Sequence, residues 1–262
     1  MTILKHELKQ SRVTFFIWTG VIGFMVVLMV ILFPEFKGEV DMLTRVFESM
    51  GAFTAAFGLD YLNMGEMIGF YAVEIGTTLG IGGALYAALI AIQARSVEED
   101  QGSADFLLTH PVSRAQVVFE KWLYILIRVI GLNVINVALA IGSMILISEP
   151  VPWRELFLLH LAYLIMQIEI AAIAYAISAF LRRRNVGIGL GIALLFYFVS
   201  LIAKLAENLN FLNYLTPFGY TDPVYILKND SLDVPLVILG LAITILALAI
   251  AHWQYDKKDI HA

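Results

Sequence analysis

The chain has 262 residues, of which 60% are hydrophobic and 15% charged, with no cysteine and a formal net charge of −5. Its mean hydropathy is +0.82. So apolar a composition excludes an ordinary soluble domain, and the lack of cysteine excludes a disulfide framework and a thiolate metal site.

Residues 1–12 set Ile3, Leu4 and Leu8 against Lys5, Lys9 and Arg12, the pattern of an amphipathic helix at a membrane surface. Val13–Phe33 follows as the first apolar stretch. It is too long for a secretory h-region, and no small-residue cleavage site follows Leu32-Phe33-Pro34-Glu35, so it is expected to stay as a spanning helix. An outer loop, 34–67, carries Asp41–Phe57, whose Met42, Val46, Met50, Phe53 and Phe57 recur at helical spacing.

Five further stretches have the length a hydrocarbon core of roughly 30 Å demands of a helix. They are Ile68–Ala94, Gln116–Ile147, Leu156–Leu181, Val186–Leu205 and Val234–Trp253, with a second outer loop at 206–233. The expected fold is all-α, a polytopic membrane protein of six transmembrane helices forming one domain over residues 1–262. Short loops and the absence of internal repeats leave no room for a second domain.

Lys and Arg mark the cytoplasmic side of a membrane protein. Lys5, Lys9, Arg12, Arg95, Arg114, Lys121, Arg128, Arg182, Arg183, Arg184, Lys257 and Lys258 fall on one side of this topology. Lys37, Arg45, Arg154, Lys204 and Lys228 fall on the other. Both termini are therefore expected in the cytoplasm, with Arg182-Arg183-Arg184 as the strongest anchor. Acidic residues such as Glu35, Glu39, Asp41 and Glu48 gather outside, so the net charge says little about partners.

The polar segment Ser96–Arg114 joins the second and third spans on the inner side. Ser103 can cap a short helix through Asp105, Phe106, Leu107 and Leu108, which Thr109, His110 and Pro111 then end. Those apolar side chains cannot bury themselves. Glu98, Glu99, Asp100 and Asp105 disfavour the anionic inner leaflet, so the natural groove belongs to a soluble partner.

Ionisable groups inside spans are costly unless paired or hydrated. Glu74 lies in the second span and Glu169 near the middle of the fourth. Arg128 is about 14 residues past Arg114, which at 1.5 Å per residue places it near mid-depth, and Asn133 and Asn136 continue its strip. These residues either line a translocation path at a subunit interface or, for Glu169 and Arg128, form a structural ion pair.

Catalysis finds no support in the motifs. No Gly-x-x-x-x-Gly-Lys-Ser/Thr occurs, His6-Glu7 lacks the second His of a zinc protease, and no Gly-x-Ser-x-Gly appears. Glycines at 76, 80, 82, 83, 187, 189 and 191 read as close helix-packing sites, Gly76 and Gly80 forming a small-xxx-small pair. A channel would show a polar stripe along one span, and beyond Arg128, Asn133 and Asn136 none is present. Nothing in the chain suggests nucleic-acid binding.

The run Glu98, Glu99, Gly102, Leu107, Leu108, Thr109, Pro111, Val112, Ser113, Arg114 and Lys121 resembles the permease subunits of the ABC-2 superfamily, which carry an acidic, glycine-containing stretch, a leucine pair and Pro-Val-Ser-Arg before the third helix. The chain is similar in particular to the small six-helix permeases without a fused ATPase that serve bacterial drug, peptide or ion export. Leu215-Thr216-Pro217-Phe218-Gly219-Tyr220, followed by Asp222-Pro223, matches a second stretch before the last helix. The resemblance implies that Ser96–Arg114 holds a coupling helix seated on a separate ATPase subunit. It also implies a second permease subunit, identical or related, no cofactor on this chain, and ATP with Mg in the partner.

Overall fold

Lipid offers a backbone no hydrogen bonds, so a spanning segment must satisfy its own, and helices do so. The computed structural model describes residues 2–39, 51, 54, 58–59, 61–100, 114–181, 185–205 and 207–257. These residues are predominantly helical, and no strand occurs among them.

The elements are α1 (Thr2–Gln10), α2 (Arg12–Gly38), α3 (Met67–Ile75), a π-helical segment (Gly76–Ile81), α4 (Gly82–Asp100), α5 (Arg114–Leu146), α6 (Trp153–Ser178) and α7 (Val186–Leu205). Two 3-10 helices, Glu207–Leu215 and Gly219–Thr221, lead to α8 (Pro223–Asn229) and α9 (Val234–Lys257). Six helical stretches are long and apolar enough to cross a membrane: Arg12–Gly38, Met67–Ala94, Ala115–Leu146, Trp153–Ser178, Val186–Leu205 and Val234–Tyr255. They match the six expected spans.

Boundaries differ where local chemistry carries a helix onward. α2 continues through Pro34 to Gly38, because a proline near a helix end forfeits only one ladder bond before the helix stops. α4 runs past the apolar zone to Asp100, so Glu98, Glu99 and Asp100 lie on its last turn rather than in a loop. Within the second span, α3 and α4 are joined by the π-helical segment, where Thr77 and Thr78 hydroxyls both donate to the Glu74 carbonyl, at 2.9 and 2.8 Å.

The second and fourth spans make the interior. Buried positions make up 67% and 61% of their apolar windows, against 22% to 39% for the other spans. α4 packs on α6 and α7, α9 packs on α6, and α2 packs on α5. Gly76 and Gly80 both face the Tyr163 ring on α6 and Gly189 meets the backbone of Ala88, so these glycines act as the close-packing sites their spacing suggests.

α2 lies beside α5, and α1 continues along the same helix. The Leu4 amide bonds Glu120 and the Arg128 guanidinium bonds Ser11, at sequence separations of 116 and 117. A constant offset means that α1 runs lengthwise beside the first turns of α5. The amphipathic helix expected at residues 1–12 is present, and Ile3 and Leu4 of its apolar side are buried while Lys5 and His6 are exposed.

Candidate functional site

The connection between α4 and α5 is the segment expected to meet a partner. Gly102, Asp105, Phe106, Leu107, Leu108, Thr109, Pro111, Val112 and Ser113 lie outside the described residues, and so do Arg182–Arg184 and nearly all of Asp41–Phe57. Arg114 opens α5. What the structure gives is the base on which that connection stands. Lys121, 2% exposed, donates from Nζ to the Ala94 carbonyl at 2.6 Å and so bridges the two flanking helices. A buried ammonium is costly unless held by such groups, which makes this a brace and not a surface contact.

On the same turn of α5 as this brace, Glu120 accepts from the Leu4 amide at 3.0 Å and from the Gln116 side chain at 2.8 Å. At the other end of α1, Arg128 donates to the Leu8 carbonyl and, at 3.2 Å, to Ser11 Oγ, with its guanidinium 4.6 Å from the Phe15 ring centre. A carboxylate thus faces the amino end of α1 and a guanidinium its carboxyl end, the pairing that a helix dipole and its unsatisfied groups favour.

This geometry corrects the depth expected for Arg128. α5 has 33 residues and is about 50 Å long, well beyond a hydrocarbon core of roughly 30 Å. Its first turns therefore stand outside the apolar zone, and Arg128 sits level with residues 8–15, at the mouth of the first span. Counting from Arg114 failed because the helix begins in the polar region.

Arg128 and Glu169 do not pair. Glu169 Oε2 accepts from the Tyr220 hydroxyl at 2.7 Å, close to Gly240 on α9. Glu74 stands apart at the end of α3. The three charged residues expected to share a path or a bridge thus sit in three separate environments. Asn133 and Asn136 do not extend a strip toward Arg128 either. Asn133 donates to Gln167 at 2.6 Å and to the Val129 carbonyl at 2.9 Å, while Asn136 donates to the Leu132 carbonyl at 2.8 Å and abuts Gly23 of α2.

Three polar residues to which the sequence assigned no partner are central. Gln167, fully buried on α6, donates to the Leu79 carbonyl of the π-helical segment at 3.1 Å. His160 Nε2 lies 2.7 Å from the Tyr71 hydroxyl in the core. Tyr220 belongs to the Leu215–Tyr220 stretch, which folds as a tight connector. Thr216 Oγ1 donates to the Phe196 carbonyl at 2.8 Å and accepts from the Phe218 amide at 3.3 Å. Asp222 then caps α8 through the Tyr225 amide and pairs with Lys204 at 2.9 Å, with Pro223 at the first helical position. That cap was readable from Asp222-Pro223 alone. The partner of Glu169 was not, because Tyr220 is 51 residues away in sequence.

An all-helical bundle with six spans and a polar base beneath one connection defines a multi-pass helical membrane protein, and no group of His, Cys, Asp or Glu placed to hold a metal ion occurs among the described residues. A profile of the ABC-2 family of transporter proteins matches residues 1–260, and the chain belongs to that family. Such chains are the transmembrane, generally non-catalytic component of ABC transporters, which work with an ATPase partner. Comparison with curated proteins finds no match.

Proposed function

We infer that this chain is the permease subunit of an ATP-driven exporter in a bacterial cell membrane, with both termini cytoplasmic and the whole chain acting as one domain. A separate ATPase subunit, holding ATP and Mg, engages Ser96–Arg114, and a second permease subunit completes the pathway. Cargo is an amphipathic peptide, drug or lipid.

The observation that carries this reading is the Lys121 bridge to Ala94. A loop that transmits force needs its two stalks to move as one body, since a free hinge at the base would absorb the stroke. Lys121 ties α5 to α4 ahead of Arg128 and the mouth of the first span, and Glu120 ties the same turn to α1. Displacement of the connection by a closing ATPase dimer would then tilt α4, α5 and α1 together and alternate the access of a cavity between two packings.

Two variants separate docking from transmission. Phe106→Asp with Leu107→Asp removes the apolar grip, and the ATPase no longer co-purifies. Lys121→Met leaves the loop sequence intact, so the ATPase still co-purifies, yet substrate-stimulated hydrolysis falls at least fivefold. Unchanged co-purification in the first variant overturns the docking role, and unchanged stimulation in the second overturns the brace.

A further inference from the structure

Glu169 lies in the fourth span and is 2% exposed, yet it borders a cavity of about 200 Å³ between α6, α7, α9 and the Leu215–Tyr220 connector. Its one hydrogen-bond donor among the described residues is the Tyr220 hydroxyl, on Oε2. Tyr220 stands outside the spans. Burial, reinforced by the neighbouring carboxylate, holds its phenol well above the usual range, so it remains a neutral donor. A single neutral donor leaves an ionised carboxylate away from water under-compensated.

Space has been kept for this carboxylate. A Cβ at Gly240 would stand 2.5 Å from Glu169 Oε2 and 3.0 Å from the Tyr220 ring, so a side chain there would push the carboxylate from its present place. The remaining wall is mostly apolar and aromatic, with Phe196, Tyr214, Leu236 and Ile243, and Asn213 and Thr216 add neutral polar groups. Tyr214 and Leu215 at its rim are 59% and 61% exposed. The cavity therefore opens beside the Glu207–Leu215 connector, where an apolar tail can lie against the rim.

The chemistry of the lining selects among cations. A hard divalent ion is held mainly by carboxylates, with six or more oxygens in all, whereas this cavity offers a single carboxylate beside neutral groups: the Tyr214 and Tyr220 phenols, the Asn213 carboxamide and the Thr216 hydroxyl, which is already engaged with Phe196 and Phe218. An organic ammonium needs one counter-ion and gains from aromatic faces.

We propose that the cavity binds the ammonium head of a cationic amphiphile, with Glu169 as counter-ion and the apolar rim along its tail, and that this is the class of molecule the permease carries. The proposal rests on the transporter reading above for its second clause and on geometry alone for its first.

The test uses the permease with its ATPase in lipid nanodiscs and radiolabelled dodecyltrimethylammonium, with empty nanodiscs giving the lipid background. Wild type shows a saturable component that the uncharged tert-butyl analogue of equal chain length displaces at least tenfold less well. Glu169→Gln weakens that component at least tenfold. Tyr220→Phe, which removes the competing donor and keeps the carboxylate, leaves it undiminished. Equal displacement by the uncharged analogue on wild type overturns the site, whether or not any variant folds. So does unchanged affinity in a folded Glu169→Gln protein. Failure of the ATPase to assemble defeats the transporter reading, whereas loss of charge-selective binding in an assembled complex defeats this one.

Discussion

Gln167 shows how a single polar side chain can fix the centre of an apolar bundle. In a π-helical turn the ladder shifts from i→i+4 to i→i+5, and a carbonyl becomes available to an outside donor. Gln167 takes that of Leu79 and in turn accepts from Asn133, so three spans meet at one carboxamide. The room for it comes from Gly83, where a Cβ would overlap the Gln167 side-chain amide. Gly83→Ala therefore lowers the thermal unfolding midpoint in detergent, and the same substitution made on Gln167→Ala costs less. The coupling is expected at about 1 kcal/mol, the scale of interhelical hydrogen bonds in membranes. Simple additivity of the two substitutions would show that glycine and glutamine occupy independent space.

At the scale of elements, α1 is held at both ends by one neighbour. Glu120 and Arg128 on α5 meet its first and last turns, and of its apolar side Ile3 and Leu4 are buried and Leu8 half-buried. Arg128→Leu removes the bonds to Leu8 and Ser11 together with the guanidinium over the Phe15 ring. Amide hydrogen exchange over residues 2–11 then rises about tenfold, the equivalent of about 1.4 kcal/mol of local opening, while α6 exchanges as before. An unchanged α1 would mean that apolar packing alone holds it. The sequence made the six spans and the amphipathicity of α1 legible, because lipid imposes length and periodicity on any helix that meets it. It did not reveal which neighbour receives the apolar side of α1, the level of Arg128, or the Tyr220 partner of Glu169. Each depends on which helices lie side by side, and that is decided by glycine contacts and buried polar pairs with no period along the chain. The π-helical segment was invisible for a related reason: Gly76-Thr77-Thr78 reads as ordinary apolar helix until the Gln167 side chain opposite it is known.

At the scale of the whole molecule, polar contacts sort to the two ends of the bundle. One end carries α1, Lys121 and Arg128, beneath the connection between α4 and α5. The opposite end carries the pairs Lys37–Glu149 at 2.9 Å, Arg154–Asp230 at 2.8 Å and Lys204–Asp222 at 2.9 Å. Between them the flanks expose large apolar side chains, including Phe16 and Phe24 on α2, Phe198 on α7 and Ile245 on α9, a surface that suits lipid or another helix and not water. In the orientation proposed above, the positively charged α1 end faces the cytoplasm, and six crossings return the chain to the side from which it started. With no native cysteine, single introduced thiols report this directly. In intact cells a membrane-impermeant maleimide is expected to label Ser148→Cys and Ser231→Cys, both exposed at the far end, and to reach Lys5→Cys only after permeabilisation. Labelling of Lys5→Cys in intact cells, with Ser148→Cys protected, would reverse the bundle. The connection between α4 and α5 would then face away from cytoplasmic ATP, and no ATPase subunit could drive it.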